Sequence, residues 1–421
     1  MSKEKVFVGM SGGVDSSVSA ALLVEQGYDV TGVYMKNWSR DLPGMKCPWA
    51  EDLADAKRVA VKLGIDFKVF DFETDYKHKV VDYMVAEYKA GRTPNPDIMC
   101  NQEVKFKLFY ELAREQGADL IATGHYARAG FAEPHLKPTL QRQPVVTGDG
   151  LELKPSGVVT PDAVPSNEAQ QSQPLLMRSV DEDKDQTYFL YRISEEALSR
   201  TLFPVGELKK PAVRALAHKF GLTTASKKES MGVCFVGSVG IREFLSEYVE
   251  PQLGDIVDEA TGKVVGQHDG AVFYTVGQRH GLSVGGGLPY YVTDKNMAKN
   301  IVFVTTNLND RHLWQRELVL RNVFTRPPFA RVTLAKTVQT AQVQVQVQVR
   351  TRHRAPLVDA DVDADIFCKG NPCKTLQGLP LQRAQEPKEL KVVFKDEQRA
   401  VAPGQSVVFY DGEVCVGGGI A

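Results

Sequence analysis

A glycine- and serine-rich loop, SGGVDSS at residues 11–17, constrains the fold of this 421-residue chain more than any other segment. It follows an apolar run at residues 5–10 that is typical of a buried strand, and it precedes a helical segment that we expect to end at Gly27. The alternation continues through a second strand, a helix that stops before Gly64, a third strand, and a helix over about residues 104–116. This order predicts an α/β fold with a doubly wound parallel sheet and crossover helices.

The rest of the chain differs in composition and in the pattern of its apolar residues. Residues 131–176 are rich in Pro, Gln, Ser and Gly, which favours a flexible surface insertion over the alternative of a binding arm. From Gly254 onward short alternating runs predict a mostly β region. The tract QVQVQVQVR at residues 342–350 predicts a strand with valines on one face and glutamines on the other, and it is also a candidate aggregation edge.

Composition excludes several classes of protein. A net charge of −1 argues against a globally basic nucleic-acid binder, although it leaves local basic patches open. The N-terminus lacks a secretory signal pattern, and no apolar run is long enough to span a bilayer. Six cysteines in so long a chain are too sparse for a disulfide scaffold and suit a reducing cytosol. We therefore expect a cytoplasmic protein with no membrane contact.

The SGGVDSS loop has the chemistry of an anion site. Backbone amides and the positive end of a helix dipole converge there, and Gly12 and Gly13 remove the Cβ atoms that would keep a phosphate away. Ser11, Ser16 and Ser17 offer hydroxyl donors, but no Lys precedes a Ser or Thr as in a Walker loop. On these residues alone, a simple tight turn remains the alternative.

The string SGGVDSS resembles the pyrophosphate loop of adenylating ATP pyrophosphatases, which cut ATP between its α and β phosphates and transfer AMP to a carbonyl oxygen. That resemblance implies ATP binding. It also implies that Asp15 assists the loop or a Mg²⁺ ion, although the helix dipole alone explains a carboxylate at that position.

A second informative segment, GRTPNPDIMCNQEVKF at residues 91–106, contains a thiol. Its two prolines stiffen the loop and point Asp97 and Cys100 in fixed directions. Arg92 and Lys105 are expected to lower the thiol pKa if they also lie close in space. A buried, inert thiol is the alternative for a single cysteine.

Cys234 lies in SKKESMGVCFVG, residues 226–237, where glycines predict a mobile loop. Its distance in sequence from Cys100 excludes a CxxC redox pair and a local zinc half-site. Cys368 and Cys373 have no visible partner half for a metal site and are assigned to a loop, and Cys47 and Cys415 likewise receive no role. No metal site is predicted.

Long segments in one order resemble the MnmA-type tRNA-specific 2-thiouridylases. They are GMSGGVDSS, AEYKAGRTPNPDIMCNQEVKFK, IATGHYAR, DKDQTYFLY, LFPVGELKKPAVR, GVCFVG, VGQRHGL and PGQSVVFYDGEVCVGGGI. The similarity covers nearly the whole chain outside residues 131–176 and much of 333–395. It implies an ATP-pyrophosphatase catalytic domain at 1–245, a small central linker domain at 246–310 and a tRNA-contacting C-terminal β-barrel at 311–421.

The resemblance also implies an activity. Members of this family adenylate the C2 oxygen of the wobble uridine of tRNA and then pass sulfur from a cysteine persulfide to that carbon, giving 2-thiouridine, AMP and pyrophosphate. Cys234 would hold the persulfide, which an upstream sulfur-donor protein supplies. Cys100 would be the second nucleophile and release the sulfur through a transient disulfide with Cys234, and Asp97 would be the general acid/base.

Three sets of binding residues follow from the same resemblance. ATP is expected at Gly9, Met10, Ser11, Gly12, Gly13, Val14, Asp15, Ser16, Met35 and Gly124. The target base is expected at Asn95, Pro96 and Asp97. Contacts with tRNA are expected at Lys184, Asp185, Gln186, Arg352 and His353.

Local charge supports RNA contact near the C-terminus. Between Arg311 and Arg354 there are nine Lys or Arg residues and one acid, which predicts a basic strip inside a nearly neutral protein. The QVQVQVQV tract and the acidic run VDADVDAD depart from the family pattern in this region.

Two other functions remain open. One is a different adenylating enzyme with the same loop, such as a tRNA lysidine synthetase or an amide-forming ligase, which needs neither Cys100 nor Cys234. The other is a non-catalytic tRNA-binding protein, which requires neither the SGGVDSS loop nor the thiols.

Overall fold

The computed structural model describes most of the chain. It covers residues 3–41, 47–132, 139–140, 144–147, 152–155, 173–228, 240–282, 284–285, 287–326, 334–335, 344–363 and 389–421. Within that part of the chain, every helix is too short or too polar to cross a lipid bilayer.

Helices and strands alternate in the N-terminal half, and strands dominate the C-terminal half. The helices are α1 (Val14–Glu25), α2 (Trp49–Leu63), α3 (Glu73–Tyr76), α4 (Asp82–Lys89), α5 (Pro96–Met99), α6 (Phe109–Glu115), α7 (Thr187–Leu190), α8 (Glu195–Ser199), α9 (Lys210–Lys219) and α10 (Ile241–Ser246). Short π-helices span Lys77–Val81 and Cys100–Leu108, and 3₁₀ turns span Ala271–Phe273 and Arg311–Leu313.

The strands are β1 (Lys5–Gly9), β2 (Asp29–Lys36), β3 (Asp66–Asp71), β4 (Leu120–Thr123), β5 (Ala127–Ala132), β6 (Thr139–Leu140), β7 (Pro144–Thr147), β8 (Glu152–Pro155), β9 (Gln173–Arg178), β10 (Thr201–Leu202), β11 (Gly254–Asp258), β12 (Val264–His268), β13 (Tyr291–Asn296), β14 (Ile301–Thr305), β15 (Trp314–Thr325), β16 (Leu334–Ala335), β17 (Gln344–Arg350), β18 (Val358–Asp363), β19 (Glu389–Arg399), β20 (Ser406–Asp411) and β21 (Val414–Ile420).

The N-terminal sheet has five parallel strands in the order β3-β2-β1-β4-β10. Its central strand, β1, is buried from its second residue onward, because a parallel strand between two helical layers meets apolar side chains on both faces. The chain reverses its direction of travel across the sheet between β1 and β4, and in such sheets ligands bind outside the carboxyl ends of the strands at that point. The predicted doubly wound fold is confirmed.

The helix predicted over about residues 104–116 begins earlier than expected. It starts as α5 at Pro96, continues as a π-helix over Cys100–Leu108 and ends as α6. Asn95 initiates it, because its side-chain oxygen accepts hydrogen bonds from the amides of Asp97 and Ile98 at 3.1 and 3.4 Å. Apolar periodicity does not reveal a polar cap, so the start was misplaced.

The C-terminal half contains two β units. A four-stranded sheet has the order β12-β11-β14-β13. Strands β15, β19, β18, β17, β20 and β21 follow one another in a second sheet, and β15 also pairs with β21, which closes these strands into a barrel. Strands β9 and β5 extend this sheet from β21 and join the barrel to the N-terminal half.

The valine–glutamine tract forms β17 as predicted. Val345, Val347 and Val349 are buried in the barrel core, whereas Gln346 is exposed. Strand β17 pairs with β18 on one side and with β16 and β20 on the other. The expectation of an aggregation edge was therefore wrong, because the backbone groups of this strand have partners within the barrel.

The predicted insertion at residues 131–176 begins and ends in paired strands. Strand β5 pairs antiparallel with β9 from Ala127↔Arg178 to Ala132↔Gln173. A short hairpin of β7 and β8 lies between them in sequence. Strand β6 pairs antiparallel with β5, and the remainder of the segment lies outside the described residues, as do residues 229–239, which include Cys234.

Candidate functional site

The glycine-rich loop lies at the carboxyl end of β1, beside the switch point of the sheet. Gly12 has φ +75°, and a Cβ at this residue would come within 2.3 Å of the backbone oxygen of Asp52. At Gly124, which follows β4, a Cβ would lie 2.6 Å from the backbone nitrogen of Ser16. Both glycines are needed because backbone passes where a side chain would be.

The predicted ATP residues come together at this point. A Cβ on Gly9 would lie 2.8 Å from Met35 Cε, so the backbone at the end of β1 packs directly against the side chain of Met35 in β2. Gly124 contacts the first turn of α1. Residues that are far apart in sequence thus surround one loop, as the resemblance implies.

The serine hydroxyls shape the loop from within. Ser16 and Ser17 donate to the carbonyl oxygen of Gly13 at 3.2 and 2.7 Å, and Ser16 Oγ accepts from the amide of Ser11 at 3.2 Å. Gly13 is the N-cap of α1 and brings no side-chain cap, so the amides of the first helical turn are not capped by a side chain of their own N-cap residue. This arrangement suits the binding of a phosphate at the positive end of the helix.

The carboxylate of Asp15 is held by protein groups. It accepts from Lys210 Nζ at 2.8 Å on both oxygens and from Tyr126 Oη at 2.9 Å. Lys210 belongs to α9, so the ion pair ties α9 to the start of α1. One turn further along α9, Arg214 Nη1 donates to the carbonyl oxygens of Ala225 and Lys227 at 3.1 and 3.3 Å.

The thiol segment is organised by the start of α5. Cys100 follows α5 directly, is 1% exposed and begins the π-helix, an element that is frequent at functional sites. Three residues earlier, burial raises the pKa of the Asp97 carboxyl, and the ammonium of Lys105 opposes part of that rise. Arg92, which was expected to act on the thiol, instead donates to Glu87 at 2.6 and 2.5 Å.

Lys105 connects this segment to the turn after β4. Its charge acts on Asp97 and also on His125, the residue that follows Gly124. Burial holds the pKa of His125 well below its usual value, with a further lowering by Lys105, so the ring is neutral. His125 Nδ1 lies 2.8 Å from Thr123 Oγ1. His125 received no role from the sequence, and the only signal was its position after Gly124 in the IATGHYAR motif.

All three parts of the chain meet at Thr93, one residue before the first proline of the thiol segment. Its amide donates to the carbonyl oxygen of Pro403 at 2.6 Å, and its carbonyl oxygen accepts from Gln405 Nε2 at 2.7 Å, both in the barrel region. Its hydroxyl lies 3.1 Å from that of Thr275 in the central region. The loop that leads to Cys100 is therefore fixed from outside the catalytic domain.

The predicted tRNA residues differ in exposure. Asp185 is 1% exposed; its carboxylate accepts from Arg350 Nη1 at 2.8 Å and from Thr187 Oγ1 at 2.9 and 3.0 Å. Gln186 Oε1 accepts from the amide of Tyr126 at 2.8 Å. The Asp185 carboxylate thus joins the N-terminal half to the barrel, whereas Gln186 ties two segments of the N-terminal half together. We call the Asp185–Arg350 contact and the residues packed on it the interdomain junction.

The second predicted tRNA pair lies at the rim of the same junction. Arg352 is exposed, whereas His353 is half-buried and its ring centroid lies 4.5 Å from that of Phe189. Phe189 also accepts, through its carbonyl oxygen, a hydrogen bond of 3.1 Å from Asn101 Nδ2. The residue after Cys100 is thus linked through Phe189 to the turn that carries Arg352.

Not every cation of the predicted basic strip faces solvent. Arg326 and Arg350 are 2% and 6% exposed. Arg326 donates to the carbonyl oxygens of Tyr191 and Ile193. The sequence gives the number of cations in the strip but not their direction, so the expected basic surface is smaller than the count suggests.

The other cysteines fall into two groups. Cys47 and Cys415 are buried, and burial raises the pKa of the Cys415 thiol to about 12. Cys234, Cys368 and Cys373 lie outside the described residues.

Three family models match consecutive parts of the chain. Residues 4–238 match the tRNA methyl transferase HUP domain, residues 242–306 match the tRNA methyl transferase PRC-barrel domain, and residues 380–421 match the aminomethyltransferase beta-barrel domain.

Full-length relatives carry one name. The tRNA-specific 2-thiouridylase MnmA of Pseudomonas putida is 41% identical over 423 residues, covering 99% of this chain and 94% of its own. The protein of the same name from Photobacterium profundum is 42% identical over 429 residues, covering 100% and 96%. Among solved structures, a 4-thiouridine synthetase–RNA complex with bound ATP aligns with a TM-score of 0.30 at 16% identity, covering 54% of this chain and 43% of that one.

Proposed function

Because the chain belongs to the MnmA family of tRNA-specific 2-thiouridylases, and is thus an ATP-dependent tRNA-uridine 2-sulfurtransferase, we propose that it adenylates the C2 oxygen of the wobble uridine and displaces AMP with sulfur from a persulfide on Cys234. The observation that carries this proposal is the capped turn Asn95–Cys100, which holds a carboxyl of raised pKa three residues before a buried thiol.

Adenylation is the first step. A uridine carbonyl is a poor electrophile, and its oxygen is a poor leaving group. The C2 oxygen attacks the α-phosphorus of ATP, the bond to the β-phosphate breaks, and pyrophosphate leaves while the N3 proton passes to a base. Asp97 is the candidate base, since a raised pKa brings a carboxyl closer to the working pH. The loop from Ser11 to Ser16 supports the departing pyrophosphate.

Sulfur transfer follows in two displacements. The terminal sulfur of the Cys234 persulfide attacks C2 and expels AMP, which leaves the base joined to Cys234 through two sulfur atoms. The Cys100 thiolate then attacks the Cys234 sulfur, so the bond between the two sulfurs breaks and 2-thiouridine is released as N3 regains its proton. The resulting Cys100–Cys234 disulfide needs a two-electron reductant, such as an external dithiol, to return to two thiols.

The burial of Cys100 fits a reaction that must exclude water. Its thiol is 1% exposed in the tRNA-free chain, so the target base has to open the segment as it enters, flipped out of the anticodon stack. Asn95, Pro96 and Asp97 are the proposed base contacts at that entrance.

Mg²⁺ enters the proposal as part of the MgATP substrate. Asp15 is bound by Lys210 and Tyr126, so its carboxylate does not fit the role of a dedicated metal ligand. An upstream persulfide protein as sulfur source and a cytoplasmic location complete the proposal.

The test is a reconstituted reaction with protein, ATP, a persulfide donor and total tRNA, followed by mass spectrometry of the nucleosides. Sulfur at C2 of uridine with equimolar AMP is the expected result. AMP without sulfur incorporation, or attachment of lysine to a nucleoside when free lysine is added to the mixture, would point to another adenylating enzyme.

Cysteine variants test the two-thiol mechanism. Cys100→Ser and Cys234→Ser should each abolish thiolation while tRNA affinity stays within about threefold of the wild type. Cys415→Ser is the matched control, because it makes the same polar change at a buried thiol in the barrel and should thiolate normally. Full activity of either test variant would refute the mechanism.

A further inference from the structure

A pair of acids lies beside the phosphate loop and has received no role so far. Asp52 and Asp55, in the first two turns of α2, both accept from Lys227 Nζ, at 2.7 and 2.5 Å. Asp55 has a second cation partner in Arg58. Asp52 has contact with the loop itself, because its backbone lies where a Cβ of Gly12 would be.

The negative charges of these two carboxylates oppose the binding of ATP at the neighbouring loop. A polyphosphate carries several negative charges, and an uncompensated carboxylate next to its loop would repel it. The side chains of Asp52 and Lys227 are 25% and 24% exposed, so solvent screens their charges only in part. Lys227 therefore cancels a charge that would otherwise oppose the nucleotide.

Lys227 is fixed at both ends. Its carbonyl oxygen accepts from Arg214 of α9, and its ammonium binds the two acids of α2. Burial lowers the pKa of Lys227, but its bonds to Asp52 and Asp55 outweigh that effect and raise it overall, so the side chain keeps its charge. The same helix α9 holds Asp15 of α1 through Lys210.

We propose that Lys227 is a positioning residue of the nucleotide site, which neutralises Asp52 and holds the first turn of α2 against Gly12 so that the phosphates of ATP are admitted. Lys227 acts through Asp52 and does not contact the phosphates. The inference rests on the proposed function only in requiring that the SGGVDSS loop binds ATP.

The test is equilibrium binding of MgATP to the full chain without tRNA. Lys227→Met should weaken the affinity about tenfold at low ionic strength, and the deficit should shrink as salt is added, because screening relieves the repulsion from Asp52. Lys57→Met is the matched control: it removes an exposed lysine from α2, the helix that carries Asp52 and Asp55, and should leave the affinity unchanged. Lys227→Arg keeps the charge and should bind within about threefold of the wild type.

A second substitution separates charge cancellation from direct contact. If Lys227 acts through Asp52, adding Asp52→Asn to Lys227→Met restores binding to within about threefold of the wild type. A double variant as weak as Lys227→Met would mean that the ammonium touches the phosphates, and an unchanged affinity in Lys227→Met would also overturn the proposal. Wild-type protein that binds no ATP would overturn the nucleotide site itself, and this inference with it.

Discussion

Two aspartates, Asp97 in the thiol segment and Asp185 in the interdomain junction, lie in opposite environments. Asp185 is bound by Arg350 and Thr187 and is 0% exposed at its side chain. At Asp97 desolvation dominates, and its pKa rises even though Lys105 opposes the rise. A carboxylate with a cation and a hydroxyl as partners can hold two parts of a protein together. A carboxyl group whose charged form lacks enough partners has a raised pKa, which favours a role in proton transfer.

The comparison separates two residues, in different motifs, that the family resemblance treats alike. Asp97 and Asp185 were both assigned to substrate contact from the sequence, but only Asp97 has the environment of a group that exchanges protons. Asp185 instead holds Arg350, two residues before Arg352, so we expect its effect on tRNA binding to be indirect. Substitutions on each side of the comparison should therefore change different measurements.

The largest effect is expected at the junction. Asp185→Ala leaves Arg350 buried without its partner, so the free energy of unfolding should fall by about 3–5 kcal/mol in denaturant titrations. Asp183→Ala, at an exposed acid two residues away, should change it by less than about 0.5 kcal/mol. The double variant Asp185→Leu with Arg350→Met should lose less stability than Asp185→Ala. If it loses as much or more, the charge pair is not the cause.

Asp97→Asn should lower the rate of thiolation about 100-fold, the scale of general acid/base catalysis, while making the fold more stable. The raised pKa means that the folded state holds this proton more tightly than the unfolded state. Stability from this group is therefore full at low pH and lost as the pH rises through the folded pKa. Thermal melts should show a higher Tm for the variant above neutral pH, with the difference shrinking below pH about 4.

The wild-type rate should fall on the acid side with a pKa above the ordinary aspartate range. An acid limb at the usual aspartate value, or a variant less stable than the wild type at high pH, would remove the contrast with Asp185.

Gly12→Ala should reduce kcat/KM for ATP about tenfold or more, since the new Cβ meets the backbone of Asp52 in a left-handed conformation. Gly27→Ala is a matched control: its φ is +89° and nothing lies within 4 Å of the new Cβ, so it carries the backbone strain without the clash. Equal losses in the two variants would mean that strain alone, not packing at the loop, limits activity.

The smallest effect is expected at the rim of the junction. Arg352→Ala should weaken tRNA binding about threefold to tenfold and reduce the slope of log affinity against log salt by about 1, as for the loss of one phosphate contact. Lys62→Ala, at an exposed lysine of α2, should leave both unchanged. A large loss of stability in Arg352→Ala would instead make this arginine part of the junction.

The fold was predictable because its signals are periodic. Apolar runs gave the parallel strands, Gly64 ended α2 in the left-handed conformation, and the alternating valines gave β17. The assignment of the ATP residues stays a prediction, but the structure gives Gly12 and Gly124 a local reason, because backbone of Asp52 and Ser16 lies where their Cβ atoms would be. At these two positions the residue type, glycine, can be explained by the local geometry of the backbone.

The features that the sequence did not predict depend on partners that are distant in the chain. A buried Asp185 needs Arg350, which lies 165 residues away. The lowered pKa of His125 needs the burial of its ring and the charge of Lys105. The role proposed for Lys227 depends on α2, which no local pattern near Lys227 indicates. Side-chain direction in the basic strip likewise depends on closure of the barrel.

The contacts of Thr93 limit which parts of this chain can be exchanged for those of a relative. The barrel region binds the backbone of Thr93, and the central region contacts its hydroxyl. The position of the loop that leads to Cys100 therefore depends on residues from all three parts of the chain. We therefore expect a chimera that takes its central region or its barrel from a relative to keep the nucleotide loop and yet to displace the loop that leads to Cys100, unless the partners of Thr93 are retained.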